Sequence, residues 1–299
     1  MRIRSAFTMI ELVFVIVVMG ILGKFGTEFL FQAYKSFIFT SENNNLQANS
    51  ESAVEFVASR LQYRIKDSVI VREYTNPYDS TDYDALSDAN DSKDYTVLEW
   101  VSSDMDGFRS TTIPNWSGIL DLNNTRADKD HLISPETNTT RIKDLIKILS
   151  SNNSDINDSA LYFIGSNSDI DGYGWDGNAI TDQSKVMHPI DAGTTVDIFT
   201  PRVSDFSGID VYEYFKFAWT ANAIQVEDNN TTTHTFKLEY YYDYQPWNGE
   251  TFKDGKHFTI MKDISTFRAT AVGSIMKIQI CAKSVLQEEY SLCKEKTVF

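Results

Sequence analysis

Hydrophobic positions are distributed unevenly along the chain. Phe7 to Leu22 is apolar except for Thr8 and Glu11, with Arg2 and Arg4 ahead of the run and Lys24 behind it. A run of this length is just enough to enter a bilayer, and basic residues ahead of it predict a cytoplasmic N-terminus with the body across the membrane. None of the six prolines precedes Pro77, so one helix is predicted from Phe7 to about Val69, roughly 95 Å long at 1.5 Å per residue. Its second half sets Leu46, Ala53, Val54, Val57, Leu61, Ile65 and Val69 on one stripe, with Glu51, Glu55, Arg60, Arg64 and Lys66 on other faces. Gly20, Gly23, Gly26 and the Asn43–Asn45 run are the points where such a rod would bend or melt.

Tyr74 to Asp94 has no period and reads as a loop. Strand patterns follow at Tyr95–Val101, Leu161–Ile164, Val211–Trp219, Thr235–Tyr244, His257–Met261, Ile264–Ala269 and Ile275–Cys281. Between them, Arg141 to Leu149 places Ile142, Leu145, Ile146 and Leu149 on one helical face. The predicted fold class is therefore α+β, a long helix laid on a mostly antiparallel sheet.

Composition adds a constraint on partners. The 299 residues are 42% hydrophobic and 23% charged, which is globular rather than polytopic, and the net charge is -15. Residues 31–299 carry 24 basic and 40 acidic side chains, a net charge of -16. Such a surface repels phosphate backbones, and no basic stripe is evident, so direct nucleic-acid binding is not expected.

Glu11 is the informative exception inside the apolar run. A carboxylate in a membrane helix costs about 2.5–3.5 kcal/mol on insertion scales, so it calls for a partner. Ser5-Ala6-Phe7-Thr8-Met9-Ile10-Glu11-Leu12-Val13 resembles the processing motif of type IV pilins and type II secretion pseudopilins, with Ala6 where that family nearly always has Gly. The resemblance implies cleavage by prepilin peptidase between Ala6 and Phe7, methylation of Phe7, and pairing of Glu11 with the N-terminal amine of a neighbouring subunit. It divides the chain into a leader at 1–6, a membrane and fibre-core helix at 7–30, an amphipathic continuation at 31–70 and a periplasmic α+β domain at 71–299. Membrane contact would run through residues 7–25. The second half weakly resembles the J-type minor pseudopilins at Leu238-Glu239-Tyr240-Tyr241, the Trp247 turn, Ile264-Ser265-Thr266-Phe267 and Ile278-Gln279-Ile280-Cys281. Residues 75–190 have no counterpart in that resemblance.

Three further patterns bear on chemistry. Cys281 and Cys293, the only cysteines, would form a disulfide in an oxidising compartment, or else stay as two buried thiols. Asn167, Asp169, Asp171 and Tyr173, with Gly172 at the sixth position, follow the first half of an EF-hand-type calcium loop, but the twelfth position is Asn178. Calcium binds some pseudopilins, so the segment reads as a calcium site or as an Asp/Gly-rich turn; no other cofactor is expected. Asn90, Asn123, Asn138, Asn157, Asn229 and Asn230 each follow an acid by two and precede Ser or Thr by two. This resembles the acceptor sequence D/E-x-N-x-S/T of bacterial oligosaccharyltransferases, and chance would give about 0.5 such sites. The alternative is a set of acidic, solvated loops.

The expected function is structural rather than enzymatic: a minor pilin or pseudopilin of the inner membrane, partnered by other pilins, prepilin peptidase and the assembly platform. The competing expectation is a membrane-anchored periplasmic binding module or enzyme, or an adhesive tip subunit. Type II secretion and a pilus or competence system are not separated by the sequence.

Overall fold

The computed structural model describes residues 8–74, 79–89, 93–110, 112–230, 232, 234–284 and 290–299. It is an α+β protein. Helix α1 runs unbroken from Met9–Leu61, through the three glycines and the asparagine run, for 53 residues or about 80 Å. The helix ends eight residues short of the predicted Val69. Proline plays no part in this; the sheet outcompetes the next helical turn. Ile65 donates its amide to Val101 at 2.9 Å, Ser103 donates to the Tyr63 carbonyl at 2.9 Å, and Arg64 Nη1 donates to the carbonyl of Leu61 at 2.8 Å. The chain thus leaves the rod and joins a strand edge. Ile65 consequently packs in a different cluster from Leu46–Leu61.

The remaining elements are β1 (Ile70–Arg72), β2 (Asp84–Ala85), β3 (Val97–Ser102), the single-turn helix α2 (Met105–Phe108), β4 (Leu132–Ile133), α3 (Thr139–Leu149), β5 (Ala160–Phe163), β6 (Met187–Ala192), β7 (Ile198–Pro201), β8 (Phe215–Ala218), β9 (Thr220–Asn230), β10 (Thr235–Tyr244), β11 (Lys256–Val272), β12 (Ile275–Lys283) and β13 (Ser291–Val298). They form an eight-stranded sheet, β13-β12-β11-β10-β9-β3-β1-β2, and a five-stranded sheet, β4-β7-β6-β5-β8. Every pairing is antiparallel.

Alternation along the strands sorts the large sheet into two buried faces. Leu98, Trp100, Leu238, Tyr240, Ile278 and Ile280 point to α1 and bury Val54, Val57 and Leu61. Val97, Val101, Ala221, Ala223, Tyr241 and Tyr244 point the other way, onto Tyr173, Trp175, Trp247 and Phe252. The small sheet packs on α3 through Ile142, Ile146, Phe199 and Phe217 in a third cluster that contains no α1 residue.

One buried ion pair ties residues of the 75–190 region to the large sheet. Arg72 Nε meets Glu99 Oε1 at 2.5 Å with both side chains nearly free of solvent. The guanidinium also donates to the carbonyls of Ser80 at 2.6 Å and Trp175 at 3.0 Å, while Tyr244 donates its hydroxyl to the other oxygen of Glu99 at 2.9 Å. Such a pair tolerates burial because its remaining hydrogen-bonding positions are filled.

Two strands predicted at His257–Met261 and Ile264–Ala269 are one strand, β11. The break in alternation is a bulge: Asp263 takes φ 57°, and the register against β10 shifts on either side of Leu238. The strand expected over Val211–Trp219 begins only at Phe215. β9 was not predicted, because Ala221 and Ala223 present small side chains where the neighbouring strands and loops supply Tyr241, Tyr244 and Trp247.

Candidate functional site

The feature that the fold leaves without an internal partner is the first half of α1. Met9, Ile10, Leu12, Phe14, Ile16, Met19, Leu22, Phe25, Phe29, Phe31, Phe37 and Phe39 are all exposed. The most apolar 18-residue window of the helix has a mean hydropathy of 2.2, with none of it buried. This is a helix long and apolar enough to cross a membrane. Each large apolar side chain removed from water contributes roughly 1.5–3 kcal/mol, so the run outweighs the roughly 3 kcal/mol that burying one carboxylate costs.

Local chemistry accommodates the polar residues of the arm. Glu11 lies in the first turn, and its carboxylate accepts from the Thr8 amide at 3.3 Å and the Thr8 hydroxyl at 3.1 Å. The anion thereby satisfies an amide that the helix start leaves free, where the macrodipole also favours negative charge. Thr27 donates its hydroxyl back to the carbonyls of Gly23 at 3.0 Å and Lys24 at 2.9 Å, so it adds no unpaired donor to an apolar surface. Ala6 and Phe7 lie outside the described residues.

The arm is rooted where α1 meets the last strands. Phe39 packs on Tyr290 with ring centroids 5.7 Å apart, Tyr290 donates its hydroxyl to Asn43 at 2.8 Å, and Ser284 donates to Glu42 at 2.9 Å. Beyond that point the helix is held by the sheet: Lys294 lies 3.5 Å from Glu51, and Lys296 pairs with Glu55. Cys281 and Cys293, opposite one another on β12 and β13, are joined as a disulfide with Cα atoms 3.9 Å apart. The expected bridge therefore crosslinks the pair of strands against which α1 lies.

The segment that reads from sequence as a calcium site or an Asp/Gly-rich turn folds as a capped turn. Asp169 accepts from the Asp171 amide at 3.2 Å, Asp171 accepts from the Tyr83 hydroxyl at 2.8 Å, Tyr173 is wholly buried, and Asn167 is exposed. Gly172 is required by packing, since a Cβ there would lie 2.4 Å from a Val186 methyl. Among the described residues no group of three or more His, Cys, Asp or Glu gathers in metal-binding geometry.

A groove of about 430 Å³ lies between the end of α1, α2 and the large sheet, lined by Arg60, Tyr63, Asp104, Arg109, Trp219 and Tyr240 among others. Asp104 is buried there, which pushes its carboxyl up to about 6 although the Gly107 amide, at 3.0 Å, opposes the shift. His188 lies in the core stacked on Phe163 at 4.3 Å, and burial lowers it to about 4. These two titratable groups were not singled out from sequence, because only burial distinguishes them.

The candidate acceptor asparagines separate by environment. Asn123 is exposed in a turn, Asn138 caps α3 by accepting from the Arg141 amide, Asn157 accepts from the Ala192 amide, and Asn229 lies in β9 with its carboxamide on Asp263. Asn90 and the side chain of Asn230 lie outside the described residues. Compared with protein-family models, curated proteins and solved structures, the chain has no match.

Proposed function

We propose that this chain is a structural minor subunit of a type II secretion or type IV pilus-like fibre, held in the inner membrane by its N-terminal helix until it is assembled. One observation carries the reading: an exposed apolar helical arm with a single carboxylate in its first turn, continuous with a helix docked on an antiparallel sheet. In this reading prepilin peptidase cuts between Ala6 and Phe7, and the body lies in the periplasm. Glu11 exchanges its contact with Thr8 for the amine of a neighbouring subunit, and apolar contacts between arms replace contacts with lipid. The disulfide and the acidic body support an extracytoplasmic domain.

N-terminal sequencing of the chain from cells with and without the peptidase tests this. Peptidase-dependent cleavage before Phe7 is the expected result; an uncut N-terminus in both would make the helix a plain anchor. Glu11→Ala should leave the body's unfolding midpoint unchanged and sharply reduce incorporation into the fibre. Wild-type incorporation of that variant would remove the pairing step.

A further inference from the structure

We propose that Asn123 is a glycan acceptor, modified from a polyprenyl-pyrophosphate-linked oligosaccharide, and that the fold withholds Asn138, Asn157 and Asn229 from the same transfer. The inference rests on the proposed function only in placing the body outside the cytoplasm. Six matches to D/E-x-N-x-S/T against about 0.5 expected by chance make the pattern worth sorting by structure. A transferase must read the acid two residues before the asparagine, the asparagine itself and the hydroxyl two residues after it, on a segment that can leave the surface.

Three described candidates fail that requirement. Asn138 uses its side-chain oxygen as the cap of α3, with Arg141 N at 3.0 Å, and Thr140 two residues on is already inside the helix. At Asn157, the acid Asp155 and Asp158 form a reciprocal cap of a short 3-10 turn, and the hydroxyl-bearing Ser159 is fully buried. Asn229 lies within β9 between the paired residues Asp228 and Asn230, and its side-chain amide donates to Asp263 at 2.9 Å.

Asn123 differs at each position. It and Thr125 are exposed, and Leu122 beside it is 48% exposed, so the segment stands off the surface. Its carboxamide has no hydrogen-bond partner among the described residues. The carboxylate of Asp121, the acid at the required spacing, accepts only local bonds, from the Asn123 amide at 3.2 Å and Asn124 Nδ2 at 3.0 Å, while the Asp121 amide is anchored on the Ile133 carbonyl at 2.8 Å. Lifting residues 122–125 leaves that anchor in place and breaks only local turn bonds. The step joins Asn123 Nδ2 to the sugar C1 as the C1–O bond to pyrophosphate breaks. The lipid pyrophosphate leaves with the bonding electrons, and the amide gives up one proton. Because the neighbouring core cluster contains no α1 residue, a glycan here leaves the seam between α1 and the sheet clear.

The test uses the full chain in detergent, incubated with a purified bacterial oligosaccharyltransferase of this specificity and a lipid-pyrophosphate oligosaccharide, with occupancy read peptide by peptide. Occupancy at Asn123 should exceed that at Asn138, Asn157 and Asn229 at least tenfold; it should persist in Thr125→Ser and be lost in Thr125→Val. Unfolding the chain in urea before transfer, then diluting into the assay, should raise the other three. An unmodified Asn123, or equal occupancy at all four sites in the folded chain, would overturn the proposal. The assay requires neither processing nor a membrane orientation, so its failure is distinct from an uncut N-terminus.

Discussion

The two halves of α1 share one backbone and one hydrogen-bond ladder, yet they are stabilised by different surroundings. Leu46 to Leu61 is amphipathic, buries one stripe and is fixed by the sheet. Met9 to Leu22 is apolar on all sides apart from Glu11, and the helix stays exposed as far as Phe39. A helix that is hydrophobic all round needs an apolar environment, whereas an amphipathic one needs only a single partner. The first half thus presents its apolar surface outside the fold, and the second is a fold element. Substitutions that affect one half should be silent in the other.

The largest effect is expected at the ion pair of the body. Arg72→Ala leaves Glu99 buried without its cation and should lower body stability by about 3–5 kcal/mol. Denaturant unfolding of detergent-solubilised chain measures this, and the helicity of the arm should be unaffected. Leu61→Ala opens a cavity under the sheet and should cost about 2–5 kcal/mol, while Leu22→Ala on the exposed arm should leave the same unfolding curve in place. Equal losses would show that the halves are not separate.

Two buried groups give the body a compensated pH response of similar size. Asp104, with its folded value raised to about 6, contributes stability present below the ordinary carboxylate range and lost as pH rises to 6. His188, with its folded value lowered to about 4, contributes stability present above the ordinary imidazole value of about 6.5 and lost as pH falls to 4. Each contribution is about 3 kcal/mol, and between pH 4 and 6 they oppose one another. Asp104→Asn removes only the first, so that variant should gain stability relative to wild type as pH rises through this window. Parallel pH profiles for the two proteins would exclude the compensation. Removing the bridge with Cys281→Ser and Cys293→Ser should cost about 3 kcal/mol, seen as a lower melting temperature of the body with no change in how the arm partitions into micelles.

The legibility of these regions differed for physical reasons. The arm, the stripe from Leu46 to Leu61, β10 and α3 carry their own periodicity, so local pattern sufficed. The end of α1 did not, because Tyr63 to Ile65 leave the helix only when β3 offers its carbonyls and amides. β9 and the strands β4, β6 and β7 of the five-stranded sheet were hidden because small or short strands gain their burial from distant partners such as Trp247 and Phe217. The alternating oxygens from Asn167 to Asp171 fit a calcium loop or a turn in one dimension; in three dimensions Asp169 caps a turn and Asp171 meets Tyr83. The arm's Glu11 was legible as an anomaly, while the burial of Ser159, which separates Asn157 from Asn123, was not.

The pairing of β13 with the flank of α1 also sets a clock on biogenesis. Glu55 and Lys296 are 241 residues apart, and a ribosome adding about 5–20 residues per second takes roughly ten to fifty seconds to produce the second after the first. Throughout that interval the apolar arm already exists and its docking strand does not. For this topology the exposed arm is therefore complete well before the large sheet can close.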